Sequence, residues 1–229
     1  MKKLWDQPRA TFILSLVLFV VFAFSLSIIR FYFSSSWVYW YLIWNLFLAG
    51  LPLVFSWLFY ISSKKGIKFS IKNIVYLGLW LLFLPNSFYL VSDLVHLTES
   101  SDTWLVYDTV LFAVYALLGF IFGFLSLGII HYRFNQRFSS KTYYLVFGSL
   151  LLSGYAIYLG RYLRWNSWDV ITNPFGLIFD VSSSFIHPYE YPLAFGTTLL
   201  FFTFLSIFYV FLWQTVRYVK STVTNNVKL

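Results

Sequence analysis

The chain contains no cysteine, which removes disulfide staples, thiolate nucleophiles and thiolate metal sites from consideration and leaves the compartment open. Charge is scarce as well. Only 10% of residues are Asp, Glu, Lys or Arg, against roughly 25% in an average soluble domain. Acidic residues are the rarer sign, with 8 Asp and Glu beside 16 Lys and Arg. Several catalytic signatures are missing: there is no phosphate-binding glycine loop, no G-x-S-x-G elbow and no H-E-x-x-H pair. The paired arginine and histidine motifs of membrane-bound lipid phosphatases are absent too. No internal repeat suggests inverted symmetry.

What the chain does have is apolar and aromatic bulk. It is 60% hydrophobic and 24% aromatic with a mean hydropathy of +0.75, the composition of a polytopic membrane protein. Apolar runs extend from Ala10 to Ile29, Trp37 to Ile61, Ile74 to Ser92, Thr109 to Ile130, Tyr143 to Gly160 and Leu193 to Trp213. Each is long enough for a helix to cross a hydrocarbon core about 30 Å thick. The expected fold is therefore all-α, one transmembrane domain over residues 1–229 with about six spans. The first run exceeds the apolar region of a cleavable signal and no A-x-A-like site follows it, so a retained signal-anchor helix is expected.

Charge placement orients the spans. Of the 16 Lys and Arg, all but Arg30, Arg161 and Arg164 fall on one side if the spans alternate. The positive-inside rule then puts both termini in the cytoplasm. The net charge of +8 reads as topology. A nucleic-acid partner is not expected, because the basic residues are dispersed over short connections. The acids lie opposite: Asp93, Glu99, Asp102, Asp108, Asp169, Asp180 and Glu190 all fall at the outer side, and only Asp6 does not. The outer link from Arg161 to Pro192, which contains "DVITNPFGLIFDVSSSFIHPYEYP", is long and partly apolar. It fits a re-entrant or interfacial segment better than a solvated loop. Pro174, Asp180 and the serine run argue against a seventh span.

Two stretches concentrate polar chemistry. In "LPNSFYLVSDLVHL", residues 84–97, Asn86, Tyr89, Asp93 and His96 follow a 3-4-3 spacing and form one polar stripe if the helix continues past Pro85. Facing lipid, such a stripe is expensive, so it should point into the bundle or a wet cavity. Pro85 should kink the helix and free a carbonyl near Leu81, which Asn86 could satisfy. In "GRYLRWNSWDV", residues 160–170, Arg161 and Arg164 are three apart, with Asn166 and Asp169 close behind. Their guanidinium groups suit either pairing with Asp93 and Asp108 across the bundle or forked hydrogen bonds to an anionic ligand. Snorkelling to lipid phosphates is the plainer alternative. Asp93 with His96, and His187 with Glu190, are candidate metal-ligand pairs of a kind that suits Zn, Mn or Fe, though nothing in the sequence brings the pairs together. Ser101 or Asp102 is the expected N-cap of the fourth span, with Asp108 favoured in its first turns. Gly119 and Gly123 imply close helix packing, and Pro52 a tolerated kink.

These two stretches resemble a family of bacterial polytopic membrane proteins known as domain of unknown function 1361, and the resemblance extends over nearly the whole chain. It implies a multi-pass protein of a bacterial cell membrane. No catalytic residue can be transferred from it.

The residues favour an extracytoplasmic polar site that binds or acts on a lipid-linked or otherwise anionic envelope molecule. In that expectation Asp93 and His96 are the catalytic candidates, and Arg161, Arg164, Asn86, Asn166, Asp169 and Asp108 form the ligand set. A small-solute or proton-coupled transporter and a non-catalytic membrane scaffold are the alternatives. Neither a reaction nor a cofactor is assigned by the sequence.

Overall fold

The computed structural model describes residues 7–34, 37–64, 66–67 and 70–226. Lys2, Lys3, Asp6, Lys65, Lys68 and Lys228, which enter the charge count, lie outside the described residues. The described chain is helical, without a strand: α1 Pro8–Ser34, α2 Tyr41–Ser62, α3 Ile71–Tyr89, α4 Leu105–Phe138, α5 Thr142–Tyr162, α6 Pro174–Ile186 and α7 Pro192–Asn226. A 3-10 helix, Leu90–Glu99, continues α3, and a short helical turn, Asp169–Thr172, precedes α6.

Five continuous helical stretches are long and apolar enough to cross a membrane, one of them running 58 residues from Leu105 to Tyr162. That stretch doubles back. Ser139 adopts a φ of 47° between α4 and α5, and the rings of His131 and Tyr143 lie 5.3 Å apart. Twelve residues of straight helix would separate them by about 18 Å. The 58-residue stretch is thus a hairpin of two spans, which gives six passes in all.

α4 is the central helix. Of the most apolar part of Leu105–Tyr162, 67% is buried, against 6% for α1. One side of α4 presents Leu111, Tyr115 and Leu118 to α1 and α2, and its other half packs Phe124, Leu127 and Ile130 on α3, α5 and α7. The small residues of α4 set how closely α3 approaches. A Cβ on Gly119 would sit well inside van der Waals contact of the Ser87 carbonyl oxygen, and one on Gly123 would stand 2.6 Å from the Phe88 ring. Helix pairs this close need glycine at the contact. The flanking helices α1 and α7 leave long rows of apolar side chains exposed, as lipid-facing spans do.

The prolines are accommodated locally. Pro52 cannot donate to the carbonyl four residues before it, and beside the break the Ser87 hydroxyl donates to the Ala49 carbonyl at 2.7 Å. Past Pro85 the winding tightens from α to 3-10 at Leu90. Asn86 donates to the Phe83 carbonyl at 3.1 Å. The N-cap expected at Ser101 or Asp102 is not formed: α4 begins at Leu105 after Trp104 with no side-chain cap. The Ser100 hydroxyl instead donates to Asp108 at 2.6 Å, so the carboxylate in the first turn takes the local hydroxyl donor. The long link after α5 does form a helix. Asn173 caps α6 by accepting from the Gly176 N–H, and Pro174 occupies its first position, where its missing N–H has no consequence.

Basic and polar residues separate to opposite ends. At one end Arg133 donates to the Ser63 carbonyl and hydroxyl and Arg137 to the Ile67 carbonyl, clamping the α2–α3 connection. At the other end lie Asp93, Asp108 and the segment between α5 and α7.

Candidate functional site

At the polar end, α2, α3 with its 3-10 extension, α5 and the segment leading into α6 enclose a cleft of about 380 Å³. Asn86, Tyr89, Asp93 and His96 all line it. The 3-10 winding keeps Asp93 and His96 eclipsed, since side chains three apart superpose at three residues per turn. Leu48, Leu82, Ala156, Leu159 and Leu177 supply apolar wall.

The centre of the polar floor is Arg161. Its Nη2 donates to Asp93 Oδ1 at 2.6 Å and to Ser92 Oγ at 2.8 Å. Its Nη1 lies 3.0 Å from His96 Nε2. A guanidinium only donates, so Nε2 is the acceptor and the imidazole proton sits on Nδ1. The guanidinium also stands over the Tyr89 ring, 4.9 Å from its centroid, a cation–π contact. Asp93 is almost fully buried, and its second oxygen accepts from Asn45 Nδ2 at 3.1 Å. α5 can approach α3 here because Gly160 faces Tyr89, where a Cβ would already touch the ring at 3.0 Å.

A folded strap closes one side. α5 ends where Arg164 takes a φ of 60°, and the Trp165 N–H turns back onto the Leu159 carbonyl at 3.1 Å. Ser167 Oγ accepts from Asn86 Nδ2 at 2.8 Å. The Trp165 indole donates to Asp180 of α6 at 2.8 Å.

The sequence candidates divide among several places. Asn86, Asp93, His96, Arg161 and Asn166 line the cleft. Arg164 is exposed beside it and is not part of its lining. Asp169 is occupied locally, accepting from the Asn166 N–H at 2.7 Å and the Thr172 hydroxyl at 2.9 Å. The Asn166 N–H, with the Thr172 hydroxyl second, holds the Asp169 carboxyl below its usual range. Asp108 belongs to a second constellation: Arg30 of α1 grips it with Nε at 2.6 Å and Nη2 at 3.1 Å. The Arg30 guanidinium is flanked by Trp104 at 4.4 Å and Tyr39 at 5.5 Å. His187 and Glu190 are exposed on the turn between α6 and α7 and do not line the cleft that holds Asp93 and His96. Among the described residues no three His, Asp or Glu side chains gather as a metal-ligand group. The Arg161 guanidinium lies between Asp93 and His96 and donates to both.

Residues not singled out from sequence complete the site. Asn45 and Tyr41 reach the cleft from α2, and Ser167 from the strap. Asn45 carried a signal: it is a lone amide within the apolar run "YLIWNLFLAGLP", and polar groups inside a span usually have partners.

The arrangement defines a multi-pass membrane protein with an amphiphilic cleft at one end of its bundle. The chain belongs to the family described as Protein of unknown function (DUF1361), whose model matches residues 44–216. Every cleft residue except Tyr41 lies within the match, whereas α1 with Arg30 lies before it. No curated protein and no solved structure matches the chain.

Proposed function

We propose that the protein binds, and presents for reaction or transfer, a lipid-linked or otherwise anionic envelope molecule at the extracytoplasmic face of a bacterial cell membrane. Both termini are then cytoplasmic, as the positive-inside rule requires. The observation that carries this reading is the division of one cleft into an apolar wall, with Leu48, Leu82 and Leu177, and a hydrogen-bonding floor, with Asn45, Asn86, Asp93, His96 and Arg161. Such a cleft matches a molecule with a hydrocarbon part and a polar head. Asp93 neutralises Arg161 within the floor, so an anionic head is drawn by Arg164 at the rim and oriented by the amides. His96 is the group on this floor placed to exchange a proton with that head once its Nε2 leaves Arg161.

The transporter reading has less support. A path across the bundle would have to pass Leu84, Phe88, Phe124, Leu127 and Leu150, which are buried and apolar. The test is native mass spectrometry of the protein released gently from its own membrane. The expected result is a retained mass that falls in Asn86→Ala and in Arg164→Ala. Protein that is empty in the parent as well as in both variants would overturn the reading.

A further inference from the structure

We infer that the occupant of the cleft is a membrane lipid admitted sideways from the bilayer, with α6 lying in the headgroup boundary as the cleft's lateral wall; this rests on the cleft being a ligand site. α6 has 13 residues, about 20 Å of helix, too short to cross a core of about 30 Å. Its two faces differ. Leu177, Asp180 and Ser184 turn inward: Leu177 lines the cleft, Asp180 accepts from the Trp165 indole, and Ser184 is hydrogen-bonded to Tyr155 at 2.7 Å. Phe175, Ile178, Phe179, Phe185 and Ile186 recur at helical spacing on the opposite face, where Phe175 is 84% exposed and Phe179 71%.

The two hydrogen bonds fix the helix about its axis, so the apolar stripe cannot roll inward to bury itself. A stripe of this kind on a helix too short to span is the pattern of a helix lying in the interfacial plane. It is continuous with the lipid-facing surfaces of the spans, because Phe185 meets Tyr155 of α5 and Phe195 of α7.

Next to the cleft, α2 and the strap meet through two exposed aromatic side chains. Trp44 of α2 and Trp168 of the strap meet with ring centroids 6.4 Å apart, and Phe47, Val170 and Ile171 beside them are exposed. Tryptophan is at home at the level of lipid headgroups. For an acyl chain to reach Leu48, Leu82 and Leu177 from this side the Trp44 and Trp168 rings must part, and its headgroup then lies against Asn45, Asn86 and Ser167. A water-soluble ligand would gain nothing from a side wall immersed in lipid.

The test uses the full chain in vesicles of phosphatidylethanolamine and phosphatidylglycerol, doped with phosphatidylglycerol carrying a diazirine at the end of one acyl chain. Illumination should cross-link the peptides that contain Leu82 and Leu177. Leu177→Trp, which fills the cleft, should reduce that labelling at least threefold and leave labelling of Phe204 and Phe208 on α7 unchanged. Labelling confined to α1 and α7, or unaltered by Leu177→Trp, overturns the inference. Immersion of α6 is read independently on the cysteine-free background. Phe179→Cys should resist a charged maleimide that modifies Tyr189→Cys, where the parent side chain is 97% exposed. Equal reactivity at the two positions also overturns the inference. If native mass spectrometry finds a bound molecule but the photolabel avoids the cleft, the ligand site stands and lateral lipid entry falls. If both come back empty, both fall.

Discussion

Replacing Asp93 by alanine removes the carboxylate from a buried ion pair and leaves Arg161 behind. Stranding one member of such a pair destabilises by about 3–5 kcal/mol, because the remaining charge stays desolvated without its partner. The lower edge of that range applies here. Arg161 keeps the Ser92 hydroxyl at 2.8 Å and the Tyr89 ring, and its side chain is 19% exposed, so the cleft can hydrate it in part. Asn45 loses its acceptor as well, which adds about 1 kcal/mol for an unsatisfied amide. The expected loss for Asp93→Ala is therefore about 3–4 kcal/mol.

The double variant separates the pair from the packing. Arg161→Met retains much of the aliphatic bulk, and with Asp93→Ala no charge remains buried. The double variant should regain about 2 kcal/mol or more relative to the sum of the single ones, which is the coupling expected between directly bonded partners. Reversible unfolding in mixed micelles, followed by tryptophan fluorescence, measures all four corners of the cycle. A cost below about 1 kcal/mol for Asp93→Ala, or additive single effects, would refute the view that the pair is desolvated and mutually dependent.

Gly119→Val drives three extra carbons toward the Ser87 backbone and should cost about 3 kcal/mol or more by overpacking; Gly128→Ala, where a Cβ meets nothing within 4 Å, is the control, and both are read by the same unfolding assay. Arg164 has a φ of 60°, so Arg164→Gly should be about 1 kcal/mol more stable than Arg164→Ala, because only glycine adopts that conformation without a Cβ penalty. Equal stability of the two would mean that the αL geometry at α5's end is not strained. Asp169, whose carboxyl is held below its usual range, stabilises the strap at pH above the unfolded value of about 3.9, and this contribution disappears as pH falls through the lower folded value. Carbon NMR of the Asp169 carboxyl should give a midpoint below that of an ordinary aspartate; a midpoint at or above it would refute the Asn166 and Thr172 contacts.

The spans were legible because each is a long, predominantly apolar run with few polar interruptions. The break between the fourth and fifth was visible in "HYRFNQRFSSK", although the helical winding barely pauses there. The polar stripe was legible from spacing alone, since i, i+3 and i+7 positions share a face in α and nearly so when the winding tightens. Pairing was less accessible. Three arginines and several acids share the polar end, and nothing local assigns partners. Arg30 reaches Asp108 from 78 positions away, and the packing of α1 on α4, through Ala23, Ser27 and the Tyr107 hydroxyl on the Leu26 carbonyl, brings it there. The segment of α6 reads in the sequence as re-entrant or interfacial, with Pro174, Asp180 and the serine run against a span, but its helix is not marked out. The same proline after Asn173 is a helix-start signal, and a 13-residue helix falls below spanning length without falling below helical length.

The charge arrangement restricts how the cleft can discriminate. Asp93 cancels Arg161 inside it, Asp108 cancels Arg30 outside it, and Arg164 stands at the rim. On the proposed reading, a floor with no net charge selects through hydrogen-bond geometry and shape, while the exposed Arg164 cation acts at longer range on whatever approaches. It follows that Arg161→Met alone does more than delete a cation: it strips the buried Asp93 carboxyl of its charged partner and so alters the floor itself. Lost binding in that variant would be expected whether or not Arg161 touches ligand. Only the comparison with Arg161→Met combined with Asp93→Asn isolates the guanidinium. Binding restored in the double variant would assign Arg161 to masking Asp93, and binding still absent would assign it to direct contact with the ligand.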